Sequence, residues 1–140
     1  MLTSETLHAT TVSVDGTGVM ICGHSGSGKS DLALRLIDRG AVLVSDDYTI
    51  LTRSDGQLLG SAPSTIRGKI EMRGVGLIDM EFVEHIPVKL LIELDATVPR
   101  FPDKRETRTI LGVALPVIPM SAFEETAAIK VKHVIRMIAA

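Results

Sequence analysis

Residues 23–30 read Gly23-His24-Ser25-Gly26-Ser27-Gly28-Lys29-Ser30, a glycine, four intervening residues and then Gly-Lys-Ser, which is the spacing of a phosphate-binding loop. Glycine is needed because such a loop wraps closely round phosphate and aims its backbone N–H groups inward, through dihedrals that a Cβ obstructs. Lys29 would reach the β- and γ-phosphates, Ser30 would place its hydroxyl on Mg²⁺, and the start of a following helix would add positive potential. The competing reading is a glycine-rich turn that matches by chance. An apolar strand before the loop and helix formers after it supply the context that a true phosphate loop requires, so the chain is expected to bind a nucleoside triphosphate with magnesium.

Asp46 and Asp47 are the next candidates. Paired acids in a loop are ordinarily solvated surface. If Ala41-Val42-Leu43-Val44 is the next parallel strand of a β-α-β unit, however, its C-terminal end shares a sheet edge with the phosphate loop, and a carboxylate there faces the phosphates. One acid would then assist the metal while the other accepts the proton of an attacking hydroxyl. The spacing also argues against a generic switch GTPase, since many nucleoside triphosphatases carry their metal-binding aspartate further along the chain. Ile70-Glu71-Met72-Arg73-Gly74-Val75-Gly76-Leu77-Ile78-Asp79 reads equally as a surface turn with an ion pair or as the source of a second magnesium ligand, Glu71. His8, His24, His85 and His133 are each isolated, and a lone histidine seldom signals a site.

The elements that must position these groups follow from pattern. His8–Val14 is rich in β-branched residues, Asp15-Gly16-Thr17-Gly18 is turn chemistry, and Val19-Met20-Ile21-Cys22 runs into the loop, which predicts a hairpin. Ser30–Arg39 is a short helix closed by Gly40 as a left-handed cap. Ala41–Val44 is continuously apolar, as befits a strand covered on both faces. Tyr48–Thr52 and Gln57–Leu59 flank Ser54-Asp55-Gly56, a second hairpin that makes the sheet mixed. Val75–Phe82 and Val88–Leu94 are further strands, and Asp95–Arg108, broken by Pro99 and Pro102, reads as a charged loop. Ser121 with Glu124 forms a capping-box pattern, and Ala127, Val131, Val134, Ile135 and Ile138 recur at helical spacing, so the last eighteen or so residues should be one amphipathic helix. The expected class is α/β, a P-loop-containing mixed β-sheet with flanking helices.

Composition bounds the rest. The chain has 140 residues, 45% of them hydrophobic, enough for one core and hence one domain over 1–140. Fifteen Lys and Arg against 17 Asp and Glu leave a net charge of −2, which gives no general attraction to nucleic acid or an anionic membrane. Cys22 is alone and forms no internal disulfide, no apolar stretch has membrane-spanning length, and the start lacks a signal sequence, so a cytoplasmic location is expected.

Taken together, the Gly23–Ser30 loop, the Val44-Ser45-Asp46-Asp47 strand end and Ile70-Glu71-Met72-Arg73-Gly74-Val75-Gly76 resemble the C-terminal catalytic domain of the HPr kinase/phosphorylase family, over nearly the whole chain. That resemblance implies an ATP- and Mg²⁺-dependent serine kinase. Its partner would be HPr or an HPr-like phosphocarrier of the sugar phosphotransferase system. It implies His8, Lys29, Asp47 and Arg100 as catalytic residues, with Arg105 and Arg108 close to the last. Ser30 and Glu71 would hold magnesium, and Asp47 would be the proton acceptor. A homo-oligomer, as a hexamer, is implied too.

Three departures accompany it. Members usually carry an N-terminal domain, so the chain resembles a short single-domain form. The family's arginine-bearing segment associated with dephosphorylation should fall near Ser121-Ala122-Phe123-Glu124-Glu125-Thr126, which has no arginine and two acids. Forward phosphorylation is therefore expected over the phosphorylase reaction. His24 also stands where an acid is common. The alternative from another class is a nucleotide-sensing module without turnover, against which His8, Lys29, Asp47 and Glu71 together argue. A small-molecule kinase is a third reading, with little chain left for a lid.

Overall fold

The computed structural model describes residues 3–101 and 105–139. Among the described residues, eleven strands and two helices follow in the order β1 (Ser4–Leu7), β2 (Ala9–Val14), β3 (Thr17–Cys22), α1 (Lys29–Asp38), β4 (Val42–Ser45), β5 (Thr49–Ser54), β6 (Gln57–Ser61), β7 (Lys69–Met72), β8 (Gly76–Asp79), β9 (Ile86–Glu93), β10 (Glu106–Ile110), β11 (Val113–Pro119) and α2 (Ala127–Ala139). The class is the expected one, a mixed sheet with flanking helices.

The main sheet runs β1-β5-β6-β9-β3-β2-β4, and β11 adds to β9 and carries β10. β3 pairs with β9 in parallel, and β9 with β11 in parallel. β2 is antiparallel to both β3 and β4. β4 is therefore not the parallel neighbour of β3 that a simple β-α-β unit would supply, because β2 lies between them. Two antiparallel steps still leave β4 pointing the same way as β3, so the acids that follow it reach the same edge as the phosphate loop. β7 and β8 form a separate two-stranded ribbon.

Alternation along β3 sorts its side chains onto two cores. Val19 and Ile21 face the helices with Leu32, Leu36, Leu43, Leu90, Ile92, Val131 and Ile135. Met20 and Cys22 face the opposite layer with Leu51, Leu58, Val88, Leu91, Ile110 and Leu115. The central strands are apolar on both sides because the sheet curls, and the β5–β6 and β10–β11 hairpins cover what the helices do not.

Helix α1 closes as expected. Gly40 takes φ 104°, its N–H donates to the Ile37 carbonyl, and Ala41 N–H donates to the Leu36 carbonyl, a Schellman arrangement. Helix α2 departs from expectation at its start. It begins at Ala127, and Ser121–Thr126 is a run of turns. Glu124 pairs with Lys130 rather than capping, and its carbonyl is taken by Arg35. Other differences are local. β1 is an unforeseen edge strand, Ile86 rather than Val88 starts β9, and β10 occupies the end of the expected 95–108 loop, of which Pro102 lies outside the described residues. No described helix is long and apolar enough to cross a membrane.

Candidate functional site

The loop between β3 and α1 packs tightly at two of its glycines, Gly23 and Gly28. A Cβ on Gly23 would collide with Ser27 Oγ, and one on Gly28, at φ +98°, would lie 2.7 Å from Ala122 Cβ and 3.2 Å from the Phe123 ring. Lys29, the first residue of α1, is buried, and its Nζ donates to the Gly23 carbonyl at 3.0 Å and the His24 carbonyl at 3.1 Å. The ammonium thus closes the loop on itself and stays beside its mouth. Ser27 Oγ is buried with no hydrogen-bond partner among the described residues.

Asp46 and Asp47, adjacent in sequence, do different things. Asp46 is buried and accepts three hydrogen bonds, from Ser30 Oγ at 2.6 Å, Thr10 Oγ1 at 3.0 Å and the Glu71 N–H at 2.9 Å. It ties the strand end to the phosphate loop, to β2 and to the start of the β7–β8 ribbon. Asp47 has φ 66°, which turns its side chain outward, where Oδ1 meets His8 Nε2 at 2.7 Å. The Asp47 N–H donates to Thr10 Oγ1 at 3.0 Å, so one threonine fixes both acids. His8 in turn packs against Tyr48, ring centroids 5.1 Å apart.

A cleft of about 590 Å³ opens over this arrangement, and Lys29, Ser30, Asp47, Glu71, Arg73 and Phe123 are among the residues that line it. Ser25, Gly26 and Gly28 of the loop line it as well. Of the residues singled out from sequence, the structure brings Lys29, Ser30, Asp47 and Glu71 to one cleft, with His8 attached through Asp47. Gly23 and Ser27 belong to the loop but are not among the residues that line the cleft. His24 turns to Asp95 at the end of β9: its N–H donates to Oδ2 at 2.8 Å and its Nδ1 lies 2.5 Å from Oδ1. The hydrogen bond from the His24 ring, with help from the His24 N–H, holds the Asp95 carboxyl below the usual carboxylate range.

Arg100 is not brought to the cleft. It is exposed, with its guanidinium 5.6 Å from the centre of the Phe101 ring. Arg105 lines a different cavity, between β11 and α2, and Arg108 lies on β10. Thr10, Asp95 and Phe123 are site residues that sequence reasoning missed. Thr10 looks like any β-branched strand residue, and nothing short of the β2–β4 pairing reveals it. Asp46 was in view, with its division of labour with Asp47 open; the structure gives Asp46 the Ser30 hydroxyl.

The HPr Serine kinase C-terminal domain family matches residues 1–138. The chain belongs to that family. It is 34% identical over 127 residues to the HPr kinase/phosphorylase of Limosilactobacillus reuteri (strain DSM 20016), covering 81% of this chain and 40% of that protein. It is 34% identical over 147 residues to the HPr kinase/phosphorylase of Clostridium beijerinckii, covering 91% of this chain and 49% of that protein. The chain thus spans less than half the length of either relative. The Hpr(Ser) kinase/phosphatase structure from Coxiella burnetii superposes with a TM-score of 0.83 at 32% identity, covering 96% of each chain. The expected family and fold are both borne out.

Proposed function

We propose that this chain is a serine kinase domain that transfers the γ-phosphoryl group of ATP, with Mg²⁺, to HPr or an HPr-like phosphocarrier. The observation that carries the reading is the split between the two acids: Asp46 bound to the Ser30 hydroxyl, Asp47 free to face the cleft and held by His8. A site that only sensed nucleotide would have no use for the second.

The donor set fits Mg²⁺. That ion is usually held by one or two carboxylates, a hydroxyl, phosphate oxygens and water rather than by an all-protein cage. Ser30 would hold it, with Glu71 lining the same cleft and Asp46 orienting the Ser30 hydroxyl. When bound it would neutralise charge building on the β- and γ-phosphate oxygens. Gly26 and Gly28, both at positive φ, line the cleft beside Ser25 and fit a phosphate cradle.

Lys29 binds the phosphates from the loop and compensates charge that develops there. The substrate's seryl O–H proton passes to Asp47 as its oxygen forms a bond to the γ-phosphorus. The bond from that phosphorus to the β–γ bridging oxygen breaks, and ADP leaves. His8 holds Oδ1 of Asp47, which directs Oδ2 to the incoming hydroxyl. Arg100 keeps a place in this proposal only through the family resemblance and would need the 95–108 segment to move.

Transfer is proposed to run forward, since Ser121–Thr126 carries two acids and no arginine where a phosphorolytic segment is expected. A homo-oligomer, as a hexamer, is part of the same reading, and light scattering tests it. Incubation with purified HPr and labelled ATP tests the activity: acid-stable phosphoserine on HPr is the expected product. Labelling by an authentic HPr kinase but none by this chain would overturn the substrate. ATP binding with no transfer to any cellular protein would favour the sensor instead.

A further inference from the structure

The geometry points to Phe123 as the platform on which the base of the bound nucleotide stacks. This rests on the reading of the loop as a nucleoside triphosphate site and adds where the non-reacting end of that nucleotide lies.

Direction comes from strand order. The phosphate loop leaves the end of β3, and the strands on its two sides deliver different chemistry to the same edge. Across β2, the end of β4 supplies Asp46 and Asp47. Across β9, the end of β11, parallel to β9 and so to β3, delivers the 120–126 turns. The reacting γ-phosphate must face the acids. The remainder of the nucleotide must then leave the loop towards the β9–β11 side, where Phe123 stands.

Phe123 is also presented in an unusual way for a large apolar side chain. It is 69% exposed, whereas its neighbour Ala122 is 1% exposed. The carbonyls on both sides of it, those of Ala122 and Glu124, accept from the Arg35 guanidinium, the Glu124 bond at 3.0 Å. Arg35 is itself braced by Asp31 at 3.1 Å on the same helix that begins with Lys29. The ring is therefore fixed to the phosphate-loop helix yet contributes little to the core. Its edge lies 3.2 Å from where a Gly28 Cβ would be, so it touches the loop, and it lines the loop's cleft together with Asp31 and Leu34. An exposed aromatic face held against a phosphate site has the shape and polarity to stack on a purine or pyrimidine.

The sequence indicates how the base is read. Amide side chains are the usual bidentate readers of an adenine edge. The chain has no asparagine, and its single glutamine, Gln57, lies on the distant β6. Stacking accepts any base, because every base has a π-face. Discrimination between ATP and GTP should accordingly be weak.

The chain contains no tryptophan, so Phe123→Trp places a single reporter at the platform. Its emission should be quenched on titration with ATP or GTP and left unchanged by inorganic tripolyphosphate. In calorimetry, Phe123→Ala should bind ATP about tenfold or more weakly, in line with the loss of one base–aromatic stack, while Phe123→Tyr restores affinity. Tripolyphosphate should bind the native chain and Phe123→Ala equally. Unchanged ATP affinity in Phe123→Ala overturns the platform, and so does an equal loss for ATP and tripolyphosphate, which marks a damaged loop. A native chain that binds neither ligand overturns the nucleotide reading itself, and the platform with it.

Discussion

The Ser30 hydroxyl lies 2.6 Å from the Asp46 carboxylate, joining the first turn of the phosphate-loop helix to the end of a strand two places away in the sheet. This bond, with those from Thr10 and Glu71, makes Asp46 an organiser of the cleft and leaves Asp47 outside that network, in contact with His8.

Asp46→Ala should therefore damage the fold as well as the activity. It leaves the buried Thr10 hydroxyl without its acceptor, at a cost of about 1–3 kcal/mol, and removes the acceptor of the Glu71 N–H as well. Thermal unfolding without nucleotide should show a Tm lowered by several degrees. An unchanged Tm would contradict the role given to Asp46.

Asp47→Asn is expected to behave in the opposite way. Asparagine tolerates the positive φ of this position, so the fold should hold. The proposed base is lost, and phosphotransfer at saturating ATP should fall by roughly 10²–10⁴-fold. ATP affinity should be largely preserved. A variant that transfers at the native rate would remove Asp47 from the proton pathway.

In the proposed mechanism His8 acts through Asp47, and the two should not be additive. His8→Ala alone should slow transfer. In the Asp47→Asn background the same change should do little more, giving a coupling of about 0.5–3 kcal/mol in the cycle of rates. Simple addition of the two effects would show that His8 works independently of the 2.7 Å contact.

The His24–Asp95 clamp predicts an acid-side signature. The folded state holds Asp95 below its ordinary value of 3.8, chiefly through the hydrogen bond from the His24 ring. A depressed carboxylate stabilises the fold above its unfolded pKa, and that contribution fades as pH falls below 3.8 through the folded value. Denaturant titrations should find native and Asp95→Asn chains different at neutral pH and converging in acid. A gap that stays constant with pH would show that the clamp does not depend on ionised Asp95.

Cys22 is predicted to be inert. Burial, reinforced by Glu93, pushes its thiol up from 9.0 to about 11. Thiol reagents at pH 8 should label it only after denaturation. The raised value also means that its contribution to stability is present below pH 9.0 and is lost as pH rises towards 11. Fast labelling of the folded chain would show that β3 opens.

The phosphate loop, its helix and the left-handed cap at Gly40 were legible because each is a local signal. So was the sheet edge shared by Asp47, although the route to it was not: two antiparallel steps gave the same direction as one parallel step. The β10–β11 hairpin escaped because Leu111 and Gly112, at φ 50° and 80°, hold the turn positions, and leucine is not turn chemistry. The expected capping box at Ser121 and Glu124 failed for a tertiary reason. Arg35 reaches across from α1 and takes the Glu124 carbonyl, which keeps this segment in turns. Thr10, Asp95 and Phe123 were hidden for the same reason, since each matters only through a partner remote in the chain.

That remoteness bears on how the site comes into being. Arg35 and Glu124 are 89 residues apart, and His24 and Asp95 are 71 apart. A growing polypeptide presents Gly23–Ser30 to the cell long before the ribosome has made the residues that hold it in shape. Nucleotide capture should therefore switch on late, once the 120–126 turns are out, and ribosome-bound chains ending before Ala122 should be blind to ATP.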